Sequence, residues 1–383
     1  MKIIGSIEKK FRELFNEEPL LFRSPGRVNL IGEHTDYNMG YVLPGAIAKA
    51  IYFAVSPRDD QKISLYSFDK RDSFETGLSK IEYQDKGWPN YLLGVVDQLL
   101  KAGYKLKGFN CVFGGDIPIG AGLSSSAAIE GGLSFALNNL FNLQIDKLTL
   151  VKLSQKAENE FVGVQCGIMD QFINIFGESS KVLKIDCRTL EYEYFPFEFE
   201  NVSIVLFDTC VSHSLASSEY NQRRKDCGQG VDIIRKDHPF VSSLRDVSIN
   251  LLNDYRNKID EVIFKRCKYV VEENDRLIKA CMALNKGDLK LFGSLMLKTH
   301  DGLSKEYEVS CDELDYLVEL ARSNTAIYGA RMMGGGFGGC TINLIENNAI
   351  DEIANNVSHL YSKKFGREMK SYITSIGGGT QKI

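Results

Sequence analysis

Three stretches of this 383-residue chain carry residue types that could do chemistry. The first is SPGRVNLIGEHTDYN at 24–38. It packs Arg27, Asn29, Glu33, His34, Thr35 and Asp36 into ten residues, with Val28, Leu30 and Ile31 among them to tie the segment to a core. Carboxylates accept hydrogen bonds from hydroxyls, and histidine accepts or donates. A loop held rigid while presenting Glu33, His34 and Asp36 suits a polyhydroxylated ligand. A solvated charged loop is the plainer alternative.

The second stretch is GGDIPIGAGLSSSAAIEGGLSFAL at 114–137. Gly120 and Gly122 let the backbone turn tightly and approach a ligand. Ser124, Ser125 and Ser126 then open a helix with hydroxyls and free N–H groups. Such an N-terminus, at the positive end of the helix dipole, suits an anion, most often phosphate. No lysine follows the glycines, so this is not a Walker loop, and Ser125 stands where GxGxxG needs its third glycine. A glycine turn with a serine N-cap would read the same way.

The third is GVQCGIMDQFINIFG at 163–177, where Asp170 interrupts an apolar helical run. A carboxylate there costs free energy unless it finds a partner; a capping or outward-turned Asp is the alternative. Just upstream, Glu158 lies one residue past the apolar stripe of Leu150, Leu153, Ala157 and Phe161, facing either a cleft or solvent.

The elements that must position these groups follow from periodicity. Ile7, Phe11, Leu14 and Phe15 share one face of an N-terminal helix. Strands are expected at 20–23, 40–55, 62–68 and 109–113, and the polar segment 24–38 is expected as a loop. A helix spans 88–102. Trp88, the only tryptophan, is either a core aromatic at its start or one wall of a pocket for a flat ring. Helices follow the glycine loop to about 140 and again over 148–162, then strands at 182–185, 192–197 and 202–207. Helix-period residues fill 220–236, 251–283, 286–297 and 311–321. A second glycine loop at 334–339 has five glycines in six residues. It is either a tight hairpin or a close approach. A strand at 341–345, a helix at 350–365, a strand at 369–376 and a GGGTQKI tail complete the chain. The length points to two domains, and the change from mixed to mostly helical sequence puts their boundary near 200, giving 1–200 and 201–383.

Composition narrows the function. The formal net charge of −4, with both signs interspersed, argues against nucleic acid. No apolar run reaches membrane-span length, and early charges in MKIIGSIEKKFRELF argue against a signal peptide. Nine scattered cysteines without a CxxC pair point to free thiols in a reducing cytoplasm. The five histidines lie far apart, against a structural zinc site.

Taken together, GRVNLIGEHTDYN at 26–38, PIGAGLSSSAA at 118–128 and GARMMGGGFGGCT at 329–341 resemble the three motifs of the GHMP small-molecule kinases. The first resembles the signature of the galactokinase branch, and CGIMDQF at 166–172 supports the same assignment. The likeness runs from about residue 20 to 345 in order and spacing. It implies an α/β (α+β), two-domain GHMP kinase fold with the active site in the interdomain cleft. The implied activity is transfer of phosphate from ATP, with Mg2+, to the anomeric hydroxyl of α-D-galactose. Relatives acting on other sugars such as N-acetylgalactosamine, or serving as non-catalytic sugar sensors, are the alternatives. By the same resemblance, Asp170 matches the catalytic carboxylate and Arg27 the arginine beside it. Glu33, His34, Asp36, Gly167 and Tyr220 match sugar contacts. Gly120, Ala121, Gly122, Leu123, Ser124, Ser125 and Ser126 match the loop around the ATP phosphates, and Trp88 an aromatic near adenine. Ser126 and Glu158 match magnesium ligands. Met333 departs from the smaller or polar residue common before the triple glycine. A monomer with no membrane or nucleic-acid partner is expected.

Overall fold

The computed structural model describes residues 2–118, 120, 122–211 and 216–383. Ala121 therefore lies outside the described residues. The chain opens with helix α1 (Lys2–Phe15) and strands β1 (Leu20–Asn29), β2 (Tyr41–Val42), β3 (Pro44–Pro57), β4 (Lys62–Ser67) and β5 (Asp72–Gly77). Helix α2 (Pro89–Lys101), strand β6 (Phe109–Gly115) and helices α3 (Ser125–Leu140), α4 (Lys147–Lys156) and α5 (Met169–Phe176) follow. Strands β7 (Lys181–Asp186), β8 (Tyr192–Pro196) and β9 (Val202–Asp208) lead into helices α6 (Ala216–Arg235), α7 (Ile249–Asp254), α8 (Glu261–Asn285), α9 (Leu289–Lys305) and α10 (Asp312–Arg322). The chain ends with β10 (Ile327–Met333), β11 (Cys340–Glu346), α11 (Ile350–Phe365), β12 (Lys370–Thr374) and β13 (Gln381–Lys382).

Among the described residues the strands form three sheets, ordered β13-β1-β3-β6-β4-β5, β10-β11-β9-β12 and β2-β7-β8. This is the mixed helix-and-sheet class expected. The first sheet is covered on both faces, and the two-residue period of β3 sorts its side chains between them. Ala54 faces Ile7 and Phe11 of α1. Phe53 and Val55 face the larger apolar cluster, which also takes in α2 and α3. Helix α3 presses so close to the sheet that a Cβ on Gly132 would stand 2.3 Å from the Phe53 ring. In the second sheet, Val205 and Phe207 pack toward α10 and α11, while Ile204 and Leu206 join the same large cluster as the first sheet. The end of the chain returns to the first sheet, where Lys382 and Gln381 pair with Phe22 and Arg23. All nine cysteines are free. Among the described residues no helix is long and apolar enough to cross a membrane.

Several expected elements differ. Residues 24–29 are not loop but the second half of β1, almost wholly buried. Their polarity is satisfied inside: Ser24 Oγ lies 3.1 Å from Thr380 Oγ1, and Asn174 donates to Ser24 Oγ and to the Pro25 carbonyl. The proline sits where the β1–β3 register shifts, a position that tolerates a missing N–H. The expected strand 40–55 divides between two sheets. The helix expected over 251–283 is two, because Asp260 caps a new start by accepting from the Val262 and Ile263 amides. The helix over 148–162 loosens into a π-helical turn at Ala157–Val162. Strand β5 was not foreseen; its alternation is half exposed and carries little hydrophobic signal.

Candidate active site

The first and third stretches meet around one cavity of about 570 Å³, and the second is tied to it through Arg27 and Asp170. Arg27, Glu33, His34, Asp36, Glu158, Gly167, Asp170, Tyr220 and Gly334–Gly335 all line it. Arg27 reaches from β1 to Asp170 at the start of α5. Its Nε donates to Asp170 Oδ1 at 2.7 Å and its Nη2 to Oδ2 at 2.8 Å. This is the parallel two-bond geometry in which a guanidinium holds a carboxylate most firmly. Burial works against the Arg27 charge, but the Asp170 charge and hydrogen bonds outweigh it and raise its pKa. Asp170 is thus neither a helix cap nor turned to solvent.

The same arginine also holds the glycine loop. Arg27 Nη1 donates to the Gly122 carbonyl at 2.5 Å, and the Arg27 amide donates to the Leu123 carbonyl at 3.1 Å. Gly26 allows this closeness, since a Cβ there would stand 2.8 Å from the Leu123 carbonyl oxygen. Gly120 and Gly122 take φ of +82° and +71°, where a side chain is strained. The Leu123 side chain is core, 1% exposed. Ser124 does not cap α3: its backbone is left-handed at φ 53° and makes no capping bond. Its hydroxyl donates instead to Asp170 Oδ2. Ser125 begins α3, and the first amides of a helix have no acceptor within it.

Glu33, His34 and Asp36 lie between β1 and β2. Glu33 Oε2 accepts from Arg331 Nη1 at 2.8 Å. Arg331, on β10, is fully buried and also donates to the Leu30, Asn29 and Met332 carbonyls. Gly32 N–H donates to Glu273 and Tyr269 Oη to the Glu33 carbonyl. Buried polar groups from the second half of the chain thus fix the loop. His34 sits at φ +62°, in a box of Tyr37, Tyr220 and Tyr307 with ring centroids 5.0–5.8 Å away. Burial pulls its pKa down to about 4. Asp36 packs on Gly167, where a Cβ would overlap its Oδ2 at 1.7 Å. Burial raises the Asp36 pKa to about 6.

Glu158 projects from the π-helical turn and is 6% exposed. Burial raises its pKa, and a hydrogen bond from the Ser126 side chain works against that rise. Gln171 Nε2 donates to Glu158 Oε2 at 2.7 Å, and to Glu130 Oε2 at 3.4 Å. Glu130 is fully buried, its Oε1 has no partner, and burial raises its pKa well above the ordinary range. Trp88 lies in the core, 8% exposed, its Nε1–H donating to Asp72 and its ring 5.6 Å from that of Phe113. It does not line the cavity. The second glycine loop connects β10 to β11 as a hairpin and makes close approaches too: a Cβ on Gly336 would stand 2.1 Å from the Val309 carbonyl oxygen.

Ser124, Gln171, Glu130, Arg331 and the tyrosines Tyr37 and Tyr307 were not singled out in these roles. Gln171 adjoins Asp170, so the apolar run holds adjacent polar residues, a readable signal. Arg331 lay beside the glycine loop within an apolar strand, where a charge calls for partners.

Comparison with known proteins agrees with this architecture. A family model described as the galactokinase galactose-binding signature matches residues 9–57, and models of the N-terminal and C-terminal GHMP kinase domains match 90–178 and 268–363. The chain is 41% identical over 388 residues to a galactokinase of Fusobacterium nucleatum, covering all of both chains. It is 39% identical to one of Roseiflexus over 99% of this chain and 97% of that one. The crystal structure of Lactococcus lactis galactokinase complexed with galactose superposes with a TM-score of 0.95 at 38% identity, over the full length of both. A Methanococcus jannaschii mevalonate kinase, 19% identical, shares the fold with a TM-score of 0.67 over 94% of this chain and 98% of that one.

Proposed function

From the premise that this chain belongs to the galactokinase family of the GHMP kinases, we propose that it transfers the γ-phosphoryl group of ATP to the anomeric hydroxyl of α-D-galactose. The observation that carries the reading is Asp170, held by Arg27 and Ser124 in the cavity that Glu33, His34 and Asp36 line, with the glycine loop bonded to the same Arg27.

In this reading Glu33, His34, Asp36, Gly167 and Tyr220 form the sugar side. Gly120 to Ser126 form the phosphate side, where backbone amides and the α3 dipole meet negative charge without a lysine. Trp88 stands apart from the cavity, so its link to adenine rests on the family alone. The sugar hydroxyl meets Asp170 through a lone pair left free by Arg27 and Ser124. Arg27 fixes the direction of the Asp170 carboxylate through its two hydrogen bonds. Phosphoryl transfer is largely dissociative, so the nucleophile needs orientation more than early deprotonation. Asp170 orients the hydroxyl and takes its proton as the new O–P bond forms and the bond from the γ-phosphorus to the departing ADP oxygen breaks.

Magnesium fits the donors present. Ser126 stands beside Glu158, and the charge of Glu158 presses on buried Glu130. Among the described residues no three metal-binding side chains converge. Mg2+ commonly takes one or two protein oxygens and completes its shell with phosphate and water. Once bound it neutralises charge on the transferring phosphoryl group. The reading extends to a monomeric, cytoplasmic enzyme.

The test is ADP release with ATP and Mg2+ over a sugar panel. Galactose-dependent release is expected. Release only with N-acetylgalactosamine would move the substrate assignment, and galactose binding without release would make the protein a sensor.

A further inference from the structure

We propose that Tyr37 and Tyr307 are positioning residues that hold His34 as the Nε2–H tautomer, so that His34 meets the substrate as a hydrogen-bond donor. The substrate part rests on reading the cavity as a sugar site. His34 Nδ1 lies 2.7 Å from Tyr37 Oη, and Tyr37 Oη lies 2.8 Å from Tyr307 Oη. Among the described residues Tyr307 Oη has one further hydrogen-bond neighbour, Cys227 Sγ at 3.4 Å.

The direction of this chain follows from the acceptors. The Tyr307 O–H turns either to an oxygen, Tyr37 Oη, or to a thiol sulfur, which is a weak acceptor. Oxygen wins, and Tyr307 donates to Tyr37. The Tyr37 O–H then turns to Nδ1, which must be bare to accept it. A neutral imidazole with bare Nδ1 carries its proton on Nε2.

The opposite edge of the ring agrees. Nε2 is buried and, among the described residues, has no hydrogen-bond partner. The Gly335 backbone, from the loop that lines the cavity, stands beside the imidazole and works against the fall in its pKa. Burial keeps the ring neutral and both phenols protonated. The tyrosine box leaves the imidazole little room to turn over.

A donor at His34 reads the oxygen of a sugar hydroxyl, not its proton. Fluorine in place of that hydroxyl keeps an acceptor; hydrogen does not. An acceptor at His34 would lose its bond equally with either.

Nitrogen-15 NMR of the full chain tests the tautomer directly. With five histidines, His34→Asn assigns the signals. The proton is expected on Nε2 with Nδ1 bare, and Tyr37→Phe should redistribute it. A proton on Nδ1 in the unaltered protein would overturn the proposal. Calorimetry with singly fluorinated and singly deoxygenated galactoses tests the donor. At one position the fluoro sugar should bind about tenfold tighter than the deoxy sugar, the worth of one hydrogen bond. That gap should close in Tyr37→Phe, and in Tyr307→Phe should the first variant not fold. Equal losses at every position would overturn the donor role. If no sugar binds while the nitrogen shifts show Nε2–H, the tautomer stands and the sugar reading falls.

Discussion

Arg27 and Asp170, 143 residues apart in the chain, meet through two parallel hydrogen bonds of 2.7 and 2.8 Å. One arginine thereby fixes both the carboxylate and, through the Gly122 and Leu123 carbonyls, the glycine loop. A strand of the first sheet is the common ruler for the two halves of the proposed reaction.

Asp170→Asn should lower kcat by about 10²–10⁴, the usual worth of a positioned acid–base group, with the ATP KM nearly unchanged. Arg27 would face an amide nitrogen in place of one oxygen, so a stability loss of about 1–3 kcal/mol should accompany it. Steady-state kinetics and thermal melts check both; normal turnover would remove Asp170 from the reaction.

Asp36→Asn should show opposite effects on binding and stability. Burial raises the folded pKa of Asp36 from 3.8 to about 6. Its contribution to stability is therefore full below about 4 and lost as pH rises through 6. The variant should melt higher than the parent at pH 8 but not at pH 4, while its galactose KM rises. An equal melting difference at both pH values would contradict the burial argument.

Gly167→Ala should raise the galactose KM much as Asp36→Asn does, because the new methyl occupies the space of Asp36 Oδ2. The ATP KM should stay within about threefold, since no phosphate contact of the reading involves Gly167. A variant with unchanged galactose KM would show that the Asp36 position is not used.

Arg331→Met should cost about 3–5 kcal/mol, because it leaves Glu33 and backbone carbonyls unpaired in the interior. Denaturant melts would show it as a lower midpoint. A loss below about 1 kcal/mol would mean that the Glu33 loop is held by other contacts.

Glu158→Gln should raise the magnesium concentration for half-maximal rate at least about tenfold, since even outer partners of a metal ligand are worth that much. The galactose KM should not move. An unaltered magnesium dependence would take Glu158 out of the metal site.

The parts of this structure that were legible in the sequence are local. The stripe of Ile7 and Phe11 and the apolar alternation before the glycine loop carry their own periods. Residues 24–29 misled because their polar groups are satisfied by Thr380 and Asn174, far along the chain. The π-helical turn that buries Glu158 has no sequence period to read. Arg27 meeting Asp170 was implied only by family resemblance; the charge of Arg331 in an apolar strand called for partners without naming Glu33, and nothing local implied the Tyr307–Tyr37–His34 chain. Long-range pairing is set by how strands stack, which short windows do not contain.

The most direct test of the account is the phosphorus NMR spectrum of the product made from ATP, magnesium and galactose. The account predicts a new phosphomonoester resonance coupled to the anomeric proton, in the α configuration, because the sugar C–O bond is never broken. Inorganic phosphate alone, or an ester on any other hydroxyl, would contradict it.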